Sequence, residues 1–303
     1  MAGMALVVVV GLVFWGPFPQ APMPTPTPAF SEGMVFVPAG EFVMGSDDAR
    51  SRRFERGRPL LQRRDRASEH GRDVREPQSN EDEKPMRVVY LDAFYIDRHE
   101  VTNAEYAEFL NVMGGHQGRC GGHDCIDTKD QDPDSHILYR GGGYMVEGGY
   151  VVEAGYERHP VIKVSWYGAK AYCEYYGKRL PTEAEWEKAA RGPTGFVYPW
   201  GDEFDANKAN VDQHVGDTTP VGNYRGGISP YGAYDMAGNV WEWVADWYRA
   251  YPGSEHRSEF FGSKYKVVRG GSWNHPPGDA RGAVRDIAHP ARRIHVVGFR
   301  CAQ

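Results

Sequence analysis

The sequence predicts an α+β fold, arranged as a single loop-rich domain. It contains 37 Gly and 21 Pro in 303 residues, and these residues interrupt regular structure too often for a helical bundle. Hydrophobic residues make up 41% and aromatic residues 13%, which is enough apolar material for a sizeable core. The chain has few long apolar periodic runs and no internal repeat of fixed period. We therefore expect one large domain built from short helices and strands.

The first 30 residues are predicted to be a signal-like segment and a linker, ahead of a domain over residues 31–303. Residues 4–15 are almost wholly apolar, which is short for a membrane span of roughly 20 residues and typical of a signal-peptide core. Residues 17–28 are rich in Pro and Thr, which predicts an extended spacer. We expect an extracytoplasmic protein that contacts a membrane only through this segment, if the segment stays uncleaved. The alternative is a misassigned start followed by a linker.

Short strands are predicted at the start of the domain. Residues 34–45 contain two apolar runs around a Pro-Ala-Gly turn, which predicts two strands. Residues 87–96 alternate and are rich in Val and Tyr, which predicts a single further strand. Beyond residue 199 we expect mostly turns and short strands.

Three helices are predicted from their capping residues. Each begins after a hydroxyl side chain that can accept a bond from the first turn, and two of them have Glu in the capping-box position. Each ends at a glycine, which readily adopts the left-handed conformation of a helix end. The helices follow Thr102, Ser165 and Thr182 and end before Gly114, Gly177 and Gly192.

Two insertions interrupt these elements. Residues 47–84 are dense in Arg, end with Glu81, Asp82 and Glu83, and predict a solvated insertion, with an arm for an acidic partner as the alternative. Residues 114–158 are rich in Gly and predict surface loops or a hairpin. The whole chain has a net charge of -6, so no basic excess is available to attract nucleic acid.

Five short motifs occur in a fixed order along the chain. They are Arg-Leu-Pro-Thr-Glu-Ala-Glu-Trp-Glu at 179–187, Pro-Trp-Gly at 199–201, Gly-Asn-Val-Trp-Glu-Trp at 238–243, Val-Arg-Gly-Gly-Ser-Trp at 268–273 and Gly-Phe-Arg-Cys at 298–301. Together they resemble the formylglycine-generating enzyme family, also called the sulfatase-modifying factor family. The resemblance runs from about Met34 to Cys301. It implies a mixed fold of helices and short twisted strands, related to C-type lectin folds.

The resemblance also implies structural calcium. Calcium takes six to eight oxygen ligands from carboxylates, amides and backbone carbonyls. The matching residues are Asn239, Val240 and Glu242 for one ion, and Asn210, Val211 and Asp217, or Asp212 in its place, for a second ion. The alternative is that these side chains only satisfy backbone groups in tight turns.

The chain contains four cysteines, and an even number in an exported chain suggests disulfides. The family pairs cysteines at the positions of Cys173 and Cys301, so the resemblance implies that bridge. For Cys120 and Cys125 we expect a local disulfide. A zinc site that also uses His116 or His123 is the alternative, because two thiolates and imidazole suit zinc.

The copper chemistry of the family is where the resemblance fails. These enzymes oxidise a substrate cysteine with two active-site cysteines and copper(I), a soft ion that suits thiolates. The matching positions here are His275 and Ala280, which offer one nitrogen between them. The related ergothioneine-type sulfoxide synthases hold iron in an additional helical domain, and no such His-rich pattern precedes Met34. The sequence therefore argues against both metal mechanisms.

A polar cluster surrounds the position of the lost copper site. The pocket candidates are Ser272, Trp273, His275, Asp279, Arg281 and Arg285, followed by Asp286, His289, Arg292, Arg293 and His295. Arg281 and Arg285 are predicted to hold a carboxylate of an anionic or peptide ligand, since guanidinium matches carboxylate geometry. The alternative is a hydrated loop of exchangeable ion pairs.

Three functions fit these observations. The first is an exported non-oxidase member that binds a protein or peptide, or assembles with it. The second is an enzyme of the same family that uses another metal or cofactor around His275 in protein or peptide maturation. The third is a structural subunit of an extracytoplasmic complex, docked through the two insertions.

Overall fold

The computed structural model describes residues 33–47, 80–140 and 149–303. The predicted signal-like segment and linker, and most of the charged insertion, lie outside the described residues. Within the described ranges, no helix is long and apolar enough to cross a membrane.

Short strands pair into four small sheets across the part of the chain that the structure describes. Three sheets are antiparallel pairs: β1 (Met34–Val37) with β4 (Phe94–Asp97), β2 (Gly40–Met44) with β3 (Arg87–Leu91), and β5 (Ile137–Arg140) with β6 (Gly149–Val152). The fourth has the order β10–β7–β8–β9 and consists of β7 (Trp241–Trp247), β8 (Lys266–Arg269), β9 (Arg285–Ala288) and β10 (Val297–Gly298). The β5–β6 pair confirms a hairpin within the Gly-rich insertion.

The prediction of one strand over residues 87–96 is wrong. The structure has two strands there, β3 and β4, separated at Asp92 and Ala93. The two halves pair with different partners, β3 with β2 and β4 with β1. Both residues of the break are exposed, and Asp92 is a poor strand former, so the chain changes sheets at this point.

The three helices form where their caps predict them. They are α1 (Asn103–Met113), α2 (Trp166–Tyr175) and α3 (Glu183–Arg191). Thr102 and Glu105 form the predicted capping box, and Thr182 and Glu185 form the second. Helix α1 ends at Gly114, whose φ of 70° lies in the left-handed region. Helix α2 ends at Tyr175, before the predicted Gly177.

The core is rich in aromatic side chains because the helices and strands are short. Trp186, Trp241 and Trp243 are fully buried, as the sequence predicts for large side chains in a loop-rich fold. Helices α1 and α2 pack together through Tyr106 and Tyr172, whose rings stack with centroids 5.6 Å apart. Trp241 and Trp243 of β7 and Val268 of β8 belong to this core. The core therefore positions the segment that follows β8, where the candidate site lies.

Candidate functional site

The candidate site is a turn that follows β8. Gly270 and Gly271 have φ of 103° and 74°, a region that other residues rarely adopt. A Cβ on Gly271 would lie 2.9 Å from Cα of Ala280, so only glycine allows the two backbone segments to approach this closely. The turn brings residues 272–275 beside a short 3-10 helix, Pro277–Ala280.

Ser272 and His275 make direct contact within this turn. The hydroxyl oxygen of Ser272 lies 2.6 Å from Nδ1 of His275 and 2.9 Å from Oδ1 of Asn274. The His275 ring stands edge-on to Trp241, with centroids 5.6 Å apart. Ser272 is buried, whereas Trp273 and His275 are half-buried, so a ligand would approach from the side of Trp273 and His275.

A strained loop supports the turn from outside. The amides of Asp212 and Gln213 donate to the carbonyls of His275 and Trp273, at 2.8 Å and 2.7 Å. Both donors are exposed and have positive φ, 57° and 56°. Two consecutive non-glycine residues in this region store backbone strain, which in proteins clusters at functional sites.

Ala280 stands at the position that the resemblance assigns to the second cysteine of the family's copper site. It is fully buried and packs in a small cluster with Tyr198, Ala209 and Ala237. Its methyl group offers no ligand atom. Position 275 supplies a ring nitrogen that already contacts Ser272.

Arg281 and Arg285 hold carboxylates of the protein itself. Arg281 binds Glu83 through both terminal nitrogens, and Arg285 binds Glu183 through Nε at 2.6 Å and Nη2 at 3.0 Å. All four side chains are buried. The structure therefore corrects the expectation that these two arginines face a ligand.

Asp82 and Glu83, near the end of the charged insertion, are likewise buried, whereas Glu81 is exposed. Asp82 accepts a bond from the Tyr248 hydroxyl at 2.9 Å, and its carbonyl accepts one from Arg285. Burial raises the pKa of Asp82 to about 7, against the opposing field of Arg285. The prediction of a solvated segment is wrong for Asp82 and Glu83, because the partners described here lie 166 to 203 residues farther along the chain.

Two further carboxyl groups lie near the same arginines. Asp279 and Asp286 are buried. Burial raises the pKa of Asp286 to about 8, opposed by the hydrogen bond from the Ile287 amide and reinforced by the nearby charges of Asp279 and Asp82. Asp286 is therefore a neutral acid at the pH at which ordinary carboxyl groups are ionised.

Asn210 and Asp217, predicted to hold calcium, lie side by side. The Asn210 amide donates to the carbonyl of Asp217 at 2.8 Å. Its other side-chain atom, Oδ1, is buried and has no hydrogen-bond partner among the described residues. A hard cation can satisfy such an acceptor oxygen. The two carboxylate oxygens of Asp217 already accept hydrogen bonds, from the Tyr156 hydroxyl at 2.8 Å and the Thr218 amide at 2.6 Å.

Among the residues predicted to bind the other calcium ion, Glu242 contacts the guanidinium group of Arg300 instead. Glu242 accepts from Arg300 on both oxygens, at 2.7 Å each, and from the Trp186 indole at 2.9 Å. Asn239 has φ of 62° and donates to Glu100. The carboxylate of Glu242 is thus occupied by a guanidinium and fits a calcium ion less well than Asn210 does.

Sequence reasoning missed two buried acids beside this pair. Glu100 and Asp235 are buried near Arg300 and Glu242. Burial raises the pKa of Asp235 to about 6, and burial with the charge of Asp235 raises that of Glu100 well above its ordinary value. The sequence offered only a weak signal, an acid in Tyr-Asp-Met just before the Gly-Asn-Val-Trp motif. Across the part of the chain that the structure describes, no three His, Cys, Asp or Glu side chains are arranged to hold a metal ion.

Both expected disulfides form. Cys173 in α2 joins Cys301, and Cys120 joins Cys125. The bridge between Cys120 and Cys125 leaves no thiolates for the alternative zinc site with His116 or His123. In that segment His116 instead contacts the hydroxyl of Tyr150 through Nδ1, at 2.6 Å.

Comparison with known proteins identifies a matching family model, similar sequences and similar solved structures. The family model described as the sulfatase-modifying factor enzyme 1-like domain matches residues 20–303. The formylglycine-generating enzyme of Streptomyces coelicolor is 33% identical over 318 residues, covering 93% of this chain and 92% of that protein. The solved structure of PvdO from Pseudomonas aeruginosa covers 89% of this chain and 93% of its own, with 28% identity and a TM-score of 0.58. These matches confirm the predicted fold class and the resemblance.

A longer relative matches with higher identity. The serine/threonine-protein kinase pkn1 of Chlamydia caviae is 38% identical over 285 residues, covering 92% of this chain. The chain spans only 39% of the length of that protein.

Proposed function

The chain belongs to the family of sulfatase-modifying factor enzyme 1-like domains, and we propose that it is an exported member that binds a protein or peptide without oxidising it. One observation carries this proposal. All four cysteines of the sequence stand in the two disulfides, so no cysteine thiol is left for a copper(I) site. Copper(I) prefers soft thiolate ligands, and His275 and Ala280 supply none.

Export is the second part of the proposal. Disulfides form and persist in oxidising compartments and are rare in the cytosol. The two bridges are compatible with an extracytoplasmic protein, and they support this location together with the signal-like sequence of residues 1–30.

The turn at residues 270–275 is the proposed binding surface. The exposed, strained residues Asp212 and Gln213 border it, whereas Gly270 and Gly271 are buried and pack against Trp186 and Ala280. Such a site suits an extended peptide better than a large anion, because Arg281 and Arg285 are already paired inside the protein.

We also propose that calcium stabilises the fold. Asn210 Oδ1, with Asp217 and the carbonyl of Val211, would supply oxygens for one ion. Near Asn239, three buried carboxyl groups (Glu100, Asp235 and Glu242) face one guanidinium, so a cation would relieve a surplus of negative charge there. Calcium in either place would hold loops together and take no part in a reaction.

Binding is tested by calorimetry with a capped peptide containing cysteine and a matched peptide containing serine. Because no thiol chemistry is involved, both peptides should bind with similar affinity. His275→Ala should weaken both, and Asp92→Asn, an exposed change in the break between β3 and β4, should weaken neither. Strict preference for the cysteine peptide would contradict the proposal and favour thiol chemistry.

The contact between Ser272 and His275 favours an enzymatic alternative. A hydroxyl 2.6 Å from an imidazole is a possible element of acid–base chemistry, and the imidazole is also a common metal ligand. Metal analysis of protein taken from its native compartment separates the two functions. A stoichiometric transition metal that is lost in His275→Ala would favour the enzyme.

A further inference from the structure

Two tryptophans at the candidate site have buried indole N–H groups without an acceptor. Nε1 of Trp241 and Nε1 of Trp273 are buried, and neither has a hydrogen-bond partner within the described residues. Trp241 is 1% exposed and its ring contacts His275. Trp273 stands two residues before His275 in the same turn.

The other core indoles find acceptors inside the protein. Trp243 donates to the carbonyl of Val164 at 3.0 Å, and Trp166 to that of Val244 at 2.8 Å. Trp186 donates to Glu242. Among the core tryptophans, the unmet indole donors therefore lie at the candidate site.

Most acceptors of the turn already take part in hydrogen bonds. Ser272, Asn274 and His275 bond to one another through their side chains. The carbonyls of Trp273 and His275 accept from Gln213 and Asp212. The buried side-chain groups of the turn and of Trp241 that lack a partner are therefore hydrogen-bond donors. A buried donor that stays unpaired costs free energy, and native structures satisfy nearly all such groups.

We propose that the ligand of this site presents acceptor oxygens, those of a peptide carbonyl or a carboxylate, to the indole N–H groups of Trp241 and Trp273. This inference rests on the proposed binding function and names the chemistry of the ligand. The same two groups could not bind a metal ion. A metal ion needs lone pairs from its ligands, whereas an indole N–H group can only donate a proton to a hydrogen bond.

The direct test is nuclear magnetic resonance of the uniformly ¹⁵N-labelled full chain, which reports both the indole N–H groups and the backbone amides. The probes are a capped, neutral tetra-alanine peptide amide and the same peptide with a free carboxylate. The indole signals of Trp241 and Trp273 should shift downfield saturably with at least one probe. The signals of Trp243 and Trp186, whose N–H groups are partnered internally, should stay in place. A shift with both probes indicates a peptide carbonyl, and a shift with the carboxylate alone indicates an anion.

A matched substitution removes the donors and keeps the ring shape. Replacing Trp241 or Trp273 by 3-benzothienylalanine should weaken binding of the effective probe about 3- to 10-fold, as loss of one hydrogen bond does. The same replacement at Trp200, whose indole donates to the carbonyl of Glu203, should leave affinity unchanged.

The outcomes distinguish this inference from the proposed function. A probe that shifts the backbone amides of residues 272–275 but neither indole overturns the inference alone. No shift of any signal in the turn with either probe overturns both.

Discussion

Arg281 binds Glu83 through two parallel hydrogen bonds, Nη1 to Oε2 at 3.0 Å and Nη2 to Oε1 at 2.8 Å. The two residues are 198 positions apart. Glu83 ends the charged insertion, and Arg281 directly follows Ala280 at the candidate site. The ion pair therefore links the end of the insertion to the candidate site. Arg281 stabilises the fold and is not available to a ligand.

Glu83→Gln should destabilise the protein by about 3 kcal/mol, because it leaves a buried guanidinium without its counter-charge. Thermal unfolding at neutral pH measures the change. The double variant Glu83→Gln, Arg281→Met is the control, and it should recover part of the loss since the buried charge is gone. A single variant as stable as the wild type would show that the pair contributes nothing to the fold.

The two disulfides should contribute unequally. Cys173 and Cys301 are 128 residues apart, and Cys120 and Cys125 are 5 apart. In the loop-entropy model the long bridge contributes about 5 kcal/mol and the short one about 2 kcal/mol. Replacing Cys173 and Cys301 by serine should lower the melting temperature clearly more than the same change at the short bridge. Equal effects would contradict the entropic account.

Stability should fall between pH 5 and 8 through Asp286. Burial raises the pKa of Asp286 to about 8 in the folded protein, against roughly 3.9 for an unfolded chain. The folded state thus holds more protons in this window, so the free energy of unfolding decreases as pH rises. Asp286→Asn, which resembles the protonated acid, should lose less stability from pH 5 to pH 8 than the wild type, measured as the difference in melting temperature. Asp92→Asn should follow the wild type, and parallel curves for all three proteins would contradict the assignment.

Calcium removal should lower the melting temperature, because an ion that binds only the folded state stabilises it by mass action. Asp217→Asn should reduce the difference between calcium and chelator. Asp205→Asn, at an exposed acid whose bonds are local, should keep the full difference. A wild-type protein that melts identically with calcium and with chelator would rule out the calcium proposal.

Local features of this fold could be predicted from the sequence. Thr102, Ser165 and Thr182 mark their helices because a cap acts on residues two or three positions away. The bridge between Cys173 and Cys301 was implied by family resemblance, and the structure forms it. The division of residues 87–96 into two strands was not readable, because it depends on which distant strands pair with each half.

The buried acids and ion pairs could not be predicted from the sequence for the same reason. Asp82 and Glu83 look like part of a solvated charged run until their partners are known. Those partners, Tyr248, Arg281 and Arg285, follow 166 to 203 residues later. Glu100 and Asp235 carry no motif of their own. Arg281 and Arg285 were placed near the candidate site correctly in sequence, yet only the structure shows that internal carboxylates occupy them.

The central claim is that this family member has lost the cysteine oxidase reaction. The most direct measurement is incubation of the protein with a sulfatase-type cysteine peptide under oxygen, with and without copper, followed by mass spectrometry for the aldehyde product. We predict no aldehyde above the control without protein, because Ala280 has no ligand atom and all four cysteines are in disulfides. Aldehyde formation that depends on the protein would contradict the account.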